Sequence, residues 1–218
     1  MTNRYKGRPM PVKVVERLSL YHRILEDMKL KGTGRFFSHE LAQLAHETPA
    51  TVRRDLMATG STGSPNKGYS VASTDRSIGV LLHGFRPQKV ALVGLGKLGR
   101  SLLNHFHHLD ASLEIGFAFD VNPDKFGQLP DGVHVLSVDL LEETIQTHHL
   151  RVAVLTTPPC VAQVLADRMV DAGIRGILNF AHIRLEVPEY VFVEEIDFLV
   201  ALEKVTHFAL REELIEGA

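Results

Sequence analysis

In the first seventy residues, apolar positions step by three and four. Val14, Leu18, Tyr21, Leu25 and Met28 form one stripe of an amphipathic helix, which Gly32 and Gly34 end. Ser38 is placed to cap a second helix, with Glu40 in its first turn and Leu41, Leu44 and Ala45 facing inward. Thr48-Pro49 restarts the chain, Thr as N-cap and Pro at the first helical position. The third helix turns Val52 and Leu56 inward and leaves Ala50, Thr51, Arg53 and Arg54 on or beside its outer face. From Gly60 to Val71, Gly, Pro and Asn punctuate a hairpin with Lys67 near its tip and Tyr69 beyond it. Asp75 then opens a weakly helical connector, closed by Gly84 and Pro87.

Beyond the connector, short apolar runs alternate with helical stripes. Lys89 to Val93, Leu113 to Phe119, Val133 to Leu136, Val152 to Leu155, Ile177 to Phe180 and Val191 to Val193 read as strands. Leu98, Leu102, Leu103 and Phe106 stripe one intervening helix, a second starts near Asp139, and a third runs through Val161, Val164, Leu165 and Met169 to Gly173. This alternation predicts an α/β chain with a parallel, doubly wound sheet. Asp197 to Glu213 ends the chain as a helix, with Leu199, Leu202, Val205 and Leu210 at helical spacing. A terminal helix apolar on more than one side often packs on a partner subunit; the plain alternative is packing on its own domain. The predicted domains are a winged helix over 1–78, a nucleotide-binding domain over 79–196 and the terminal helix over 197–218.

Charge divides the chain the same way. Residues 1–70 carry 12 Lys and Arg against 6 Asp and Glu, a net of +6, while 71–218 carry 12 against 20, a net of −8. A basic front end on an acidic body favours a polyanionic partner for the front end alone. Two short helices joined by a tight turn, the second starting with small, polar and basic residues, make a helix-turn-helix; with the hairpin they make a winged helix that reads the major groove of DNA. The alternative is a small helical domain for protein contact. The single Cys160 makes no internal disulfide and reads as a small apolar filler rather than a nucleophile. No apolar run is long enough to span a bilayer, and Met1 to Pro11 lacks the apolar centre of a signal peptide. The chain is read as cytoplasmic.

The chemistry-bearing motif is Gly94-Leu95-Gly96-Lys97-Leu98-Gly99, a GxGxxG turn between a strand and a helix. Its glycines permit a tight turn and close approach to a pyrophosphate, which the helix N-terminus then faces. Asp120, at the end of the next strand, can accept hydrogen bonds from an adenosine ribose; its spacing of 26 from Gly94 exceeds the usual value of about 20. Its charge opposes a 2′-phosphate, and Val121-Asn122 supplies no arginine to offset it, so NAD(H) is preferred to NADP(H). The alternative is another adenine nucleotide, or none. No acid–base pair and no sizeable substrate domain follow the turn: the loop after the fourth strand is Thr156-Thr157-Pro158-Pro159-Cys160. His105, His107 and His108, and His148-His149, read as solvated helix residues, and no metal site is expected.

Several stretches, in this order, closely resemble the Rex family of redox-sensing transcriptional repressors. They are Arg17-Leu18-Ser19-Leu20-Tyr21-His22-Arg23, Thr51-Val52-Arg53-Arg54-Asp55-Leu56, Lys67-Gly68-Tyr69, the glycine turn, Phe119-Asp120, the run from Ala172-Gly173-Ile174 through Asn179-Phe180-Ala181, and Ile196-Asp197. The resemblance covers nearly the whole chain. It implies a homodimer on palindromic, double-stranded operator DNA, bound with NAD+ or without cofactor and released by NADH, with no enzymatic activity. It implies cofactor contacts from Gly94, Leu95, Gly96, Lys97, Leu98, Gly99, Asp120, Val121, Thr157, Pro158, Asn179 and Phe180, with Phe198 approaching the nicotinamide from the partner. It implies DNA contacts from Ser38, Thr48, Ala50, Thr51, Arg53, Arg54, Lys67, Gly68 and Tyr69. The family's last helix swaps across the dimer, and Arg17 and Asp197 match residues that pair across subunits in the DNA-bound form.

This chain departs from the family in three places. The usual tyrosine of the switch, six residues after the last motif glycine, is His105, which can still hydrogen-bond Asp197 and would add pH dependence. Ala181-His182 replaces the usual Ala-Pro, and the wing lacks the usual Gly-Arg or Gly-Lys, leaving Lys67 for a minor-groove contact. Two other readings stay open on the residues alone: a small NAD(P)-dependent reductase with an accessory winged helix, and a nucleotide-gated protein-interaction module.

Overall fold

The computed structural model describes residues 10–84, 88–106, 113–129 and 132–210. Pro87, His107, His108, residues 211–213 and most of the polar start, all singled out above, lie outside the described residues. The chain divides into two compact units, Met1–Arg86 and Pro87–Ala218.

In the first unit, α1 (Val12–Leu30) buries Val14, Leu18, Tyr21 and Leu25, the predicted stripe. It packs with α2 (Ser38–Leu44), α3 (Pro49–Ala58) and α4 (Val71–His83) around Phe36, Leu41, Val52, Leu56 and Ile78. Thr48 caps α3 through its side chain, which accepts the Thr51 N–H, and Pro49 starts the helix. The tight turn before it is made by His46 at φ 52, a left-handed conformation at the end of α2; the Glu47 N–H returns to the Ala42 carbonyl.

The structure corrects four expectations here. Ser38 does not cap α2: Phe37 is the N-cap, and Glu40 accepts the Phe37 N–H at 2.6 Å. The serine, already inside the helix, is free to meet Arg53. Leu44 is exposed rather than inward, because α2 is only two turns long and Leu41, Ala42 and Ala45 fill its inner face. The wing is not a self-contained hairpin: Tyr69–Ser70 (β2) pairs antiparallel with Arg35–Phe36 (β1), from before α2, and only an isolated Ser64–Gly68 bridge closes the tip. The predicted boundary at 78/79 falls inside α4, which buries Ile78 against α1; a helix anchored by its own apolar face cannot serve as a connector.

Arg17 and Asp55 join α1 to α3. The Arg17 guanidinium donates from Nε to Oδ2 at 2.6 Å and from Nη2 to Oδ1 at 2.9 Å, a bidentate pair around a carboxylate that is almost fully buried. The hydrogen bond to Asp55 is the main reason the guanidinium holds its proton even more firmly than usual. Tyr21 adds its hydroxyl to Oδ2 at 3.3 Å, and burial pushes that phenol well above its ordinary pKa.

The second unit is a seven-stranded sheet in the order β5-β6-β4-β3-β7-β8-β9, formed by Gly127–Gln128, His134–Ser137, Leu113–Asp120, Gln88–Val93, Val152–Leu155, Gly176–Asn179 and Phe192–Glu195. All neighbours are parallel except β5 and β6. Ala91, Val93, Phe117 and Phe119 point to one face, under α6 (Leu141–Thr147) and α7 (Pro159–Ala172). Val90, Leu92, Ile115 and Ala118 point to the other, under α5 (Lys97–Phe106). The sheet is therefore doubly wound, with the chain reversing direction across it at β3. The short antiparallel edge strand β5 is an element the periodicity did not show; two residues carry no period. The last helix, α8 (Phe198–Ala209), buries none of its residues.

Removing Arg17 leaves the Asp55 carboxylate buried and unpaired. Arg17→Met is expected to cost about 3 kcal/mol or more of stability in the N-terminal unit, read by denaturant unfolding.

Candidate functional site

The nucleotide site forms where three strand ends meet. Gly94 leaves β3 at φ +99, and a Cβ there would lie 2.9 Å from the Thr156 carbonyl oxygen that ends β7. Thr156 in turn donates its hydroxyl to the Gly94 carbonyl at 2.6 Å. At Gly99 a Cβ would overlap the same Gly94 carbonyl, so helix and strand approach as closely as backbone permits. Gly96 faces open space, which is what a pyrophosphate approaching the start of α5 requires.

Asp120 ends β4 nearly buried and accepts three bonds. Leu95 N–H donates to Oδ2 at 2.9 Å, Asn122 N–H to Oδ1 at 2.9 Å and Lys125 Nζ to Oδ2 at 2.6 Å. Burial pushes this carboxyl up; Lys125 and the two amides outweigh it and hold the group below its ordinary value of 3.8. Beside it, a cavity of about 560 Å³ is walled by Gly94, Gly96, Asp120, Val121, Thr157 and Pro158, all predicted, and by Val138, Val161, Val164, Leu165 and Arg168, which were not. Val161 and Val164, placed on the apolar stripe of α7, are exposed and form an apolar wall an adenine ring would lie on. Their signal was present in the sequence: α7 has more apolar positions than one buried face needs. Arg168 is fixed at the cavity rim by Glu142 at 2.8 Å and by the Val138 carbonyl at 2.9 Å. The Thr157 hydroxyl is buried with no partner among the described residues, so it is open to a ligand. Open space at Gly96, an orphaned hydroxyl, an apolar slot and a ribose-height carboxylate together fit an adenine dinucleotide.

Other predicted residues stand elsewhere. Leu95 turns its side chain into the core and spends its N–H on Asp120, and Leu98 packs half-buried beside it. Lys97 is exposed at the first turn of α5. Cys160, expected as a packed filler, is exposed in the cavity wall, because the first turn of α7 lies outside the core. Asn179, Phe180 and Phe198 form a second group. The Asn179 amide donates to Glu195 and to the Ile183 carbonyl, both at 2.7 Å, and the Phe180 and Phe198 rings lie 5.9 Å apart. Asp197 caps α8 through the Leu199 and Val200 N–H groups, at 2.8 and 3.1 Å. The Val200 bond is the main reason its carboxyl lies below the usual range, and His182 stands 3.8 Å away. Within the chain, then, Arg17 is committed to Asp55 and Asp197 to its own helix; His105 is exposed on α5.

On the first unit, Ala50, Arg53 and Arg54 lie exposed on α3 and Lys67 lies exposed in the wing. Arg53 donates to the Ser38 hydroxyl at 3.2 Å, and the Thr48 and Thr51 hydroxyls lie 2.8 Å apart at the helix start. Of the two other wing residues predicted as DNA contacts, Gly68 is buried and Tyr69 is half-buried. Gly68 is buried at φ +61 against the Phe36 carbonyl, where no Cβ fits, and the Tyr69 ring stacks on Phe36 at 5.5 Å. Both contacts brace the wing. Sequence reading missed Arg35, whose guanidinium holds the Lys67 and Gly68 carbonyls and so fixes the tip that carries Lys67. A lone arginine before a helix gives no local signal for a contact more than thirty residues on.

The depressed pKa of Asp120 links the second unit to pH. Folded, this group releases its proton more readily than in the unfolded chain, so its contribution is present above pH 3.8 and lost as pH falls through the lower folded value. Asp120→Asn is expected to flatten the acid limb of melting temperature against pH below about pH 4.

Comparisons with known proteins agree with this geometry. Residues 85–183 match the family model "CoA binding domain" and residues 9–56 the model "Putative DNA-binding protein N-terminus". A redox-sensing transcriptional repressor Rex from Halalkalibacterium halodurans is 40% identical over 91% of this chain and 94% of its own length. The Rex of Thermus thermophilus is 38% identical over 94% of this chain and 99% of its own. The Rex-family repressor RSP, solved in complex with β-NAD+ and operator DNA, superposes with a TM-score of 0.86 at 30% identity, covering 97% of both chains. Its complex with β-NADH superposes at 0.80 and 29% identity, covering 95% of this chain and 98% of that one. On these relatives and this architecture, the chain belongs to the Rex family of redox-sensing transcriptional repressors.

Proposed function

We propose that the chain is a transcriptional repressor that binds operator DNA and is released when NADH binds, so that it reports the NADH/NAD+ ratio. One observation carries the reading: a basic helix-turn-helix and a dinucleotide cavity share a chain whose cavity holds no free acid–base pair. Of the charged groups in the cavity wall, Asp120 is bonded to Lys125 and Arg168 to Glu142, so neither is poised to move a proton. This supports a regulator over a small oxidoreductase. A chain that reads DNA works where the chromosome is, in the cytoplasm.

When bound, the cofactor supplies the signal, a nicotinamide ring that is cationic in NAD+ and neutral in NADH. Gly94, Gly96 and Thr157 bind the dinucleotide, Asp120 orients the ribose, and the valines of α7 keep water from the adenine. Asn179 fixes the turn that sets Phe180 against Phe198, the aromatic corner where the ring end is read.

α8 supports a homodimer. Phe198, Leu199, Leu202, Val205 and Phe208 are all more than half exposed on it, an apolar surface that a second copy would cover. The switch is then a choice of partners. Asp197 can remain a helix cap, or it can meet Arg17 of the other subunit in the DNA-bound state, while His105 and His182 compete for it. Arg53, Arg54 and Lys67, with Thr51, Ala50, Ser38 and Thr48 at the helix start, form the DNA face. NADH shifts the balance only by binding one dimer state more tightly than the other.

A gel-shift titration on an inverted-repeat operator tests the reading. Retention is expected with NAD+ or no cofactor, and release by NADH; binding indifferent to NADH contradicts it. Asp197→Ala is expected to weaken operator retention while leaving NADH titration by fluorescence largely intact.

A further inference from the structure

The ribose corner of the cofactor site carries a cation that the chain's local sequence hides. Positions 121 and 122 hold none, but a 3₁₀ turn over Pro123–Lys125 folds the chain back and delivers Lys125 to the Asp120 carboxylate at 2.6 Å. The Lys125 side chain is only 19% exposed and that of Asp120 8%, so solvent and salt screen the pair weakly. Leu95 and Lys125, both bonded to Asp120, also wall a second cavity of about 500 Å³. Its other polar walls are Arg100, Asn104 and Asp124. Lys125 is already paired with Asp120, so Arg100 and Asp124 balance, and the recess is a polar neighbour of the Asp120–Lys125 pair.

A bare aspartate at this point rejects a 2′-phosphate by repulsion. A paired one does not do so to the same degree, since an ammonium already stands 2.6 Å from the carboxylate and offsets its charge, and lysine binds phosphate as a point charge. We infer that Lys125 is a specificity residue for the 2′ position: it offsets Asp120 and lowers the penalty on NADPH relative to NADH. The inference rests on the reading of this site as a nicotinamide dinucleotide sensor. Removing the lysine charge bares Asp120 against a phosphate. It leaves the ribose hydroxyls of NADH an acceptor with one more free lone pair, so the two cofactors respond differently.

The test titrates NADH and NADPH, by nicotinamide fluorescence, into the full chain and into Lys125→Met and Lys125→Arg. The ratio of the two dissociation constants on one sample does not depend on how much of that sample is folded. Lys125→Met is expected to raise the NADPH:NADH ratio on the order of tenfold, mainly through weaker NADPH binding, and Lys125→Arg to leave it within about threefold. The inference is overturned if Lys125→Met moves the ratio by less than about threefold, if Lys125→Arg raises it as much, or if the unaltered chain binds NADH but not NADPH. Failure of the unaltered chain to bind NADH overturns the sensor reading together with it.

Discussion

The fold of the cofactor unit turns on one close approach of backbone to backbone, Gly99 against the Gly94 carbonyl. A single methyl group at residue 99 would overlap that oxygen, and nothing there can yield, because the obstacle is main chain. This contact lets α5 begin at the very edge of the sheet. Once it is made, the other ties follow. Leu95 reaches Asp120 on β4, Thr156 just past β7 reaches back to Gly94, and the ends of three strands are fixed around one opening. The crevice lies where the chain reverses direction across a doubly wound sheet, the place where such sheets bind ligands. Glycine is required here for space, and at Gly94 also for a φ of +99 that other residues rarely adopt.

Two paired carboxylates then set the electrostatics of the two units. Asp55, held by Arg17, ties α3, the helix that carries Arg53 and Arg54, to α1. Asp120, held by Lys125, ties the end of β4 to the glycine turn through the Leu95 N–H. In each case a nearly buried negative charge is tolerated because a cation and further donors surround it. The second apolar surface of the molecule, α8, is the opposite case: twelve residues of helix with no buried side chain in their own chain. A helix of this composition calls for a partner, and the sensor account places it in the dimer through which the DNA faces and the cofactor sites are coupled.

The sequence disclosed much of this, and for identifiable reasons. The α1 stripe, the Thr48-Pro49 start of α3, the glycine turn and Asp120 at a strand end are local patterns with fixed spacing, and each appears where it was predicted. What stayed hidden depends on contacts distant in sequence or on very short elements. Strand β5 has two residues and β1 has two, too few for periodicity. Arg35 serves the wing across thirty-two residues, and Arg17 meets Asp55 across thirty-eight. Lys125 is only five residues from Asp120, but no helical or strand spacing links them; the 3₁₀ turn does. The stacking of Tyr69 on Phe36 was hidden too, because the two are thirty-three residues apart in sequence.

The central claim is that DNA and NADH compete for two states of one dimer, and thermodynamics makes that claim reciprocal. If NADH weakens operator binding by some factor, operator must weaken NADH binding by the same factor. The direct test is the NADH dissociation constant measured with and without saturating operator duplex. The account predicts weaker NADH binding on DNA, by the factor seen when the titration is run the other way. An NADH affinity unchanged by operator contradicts it.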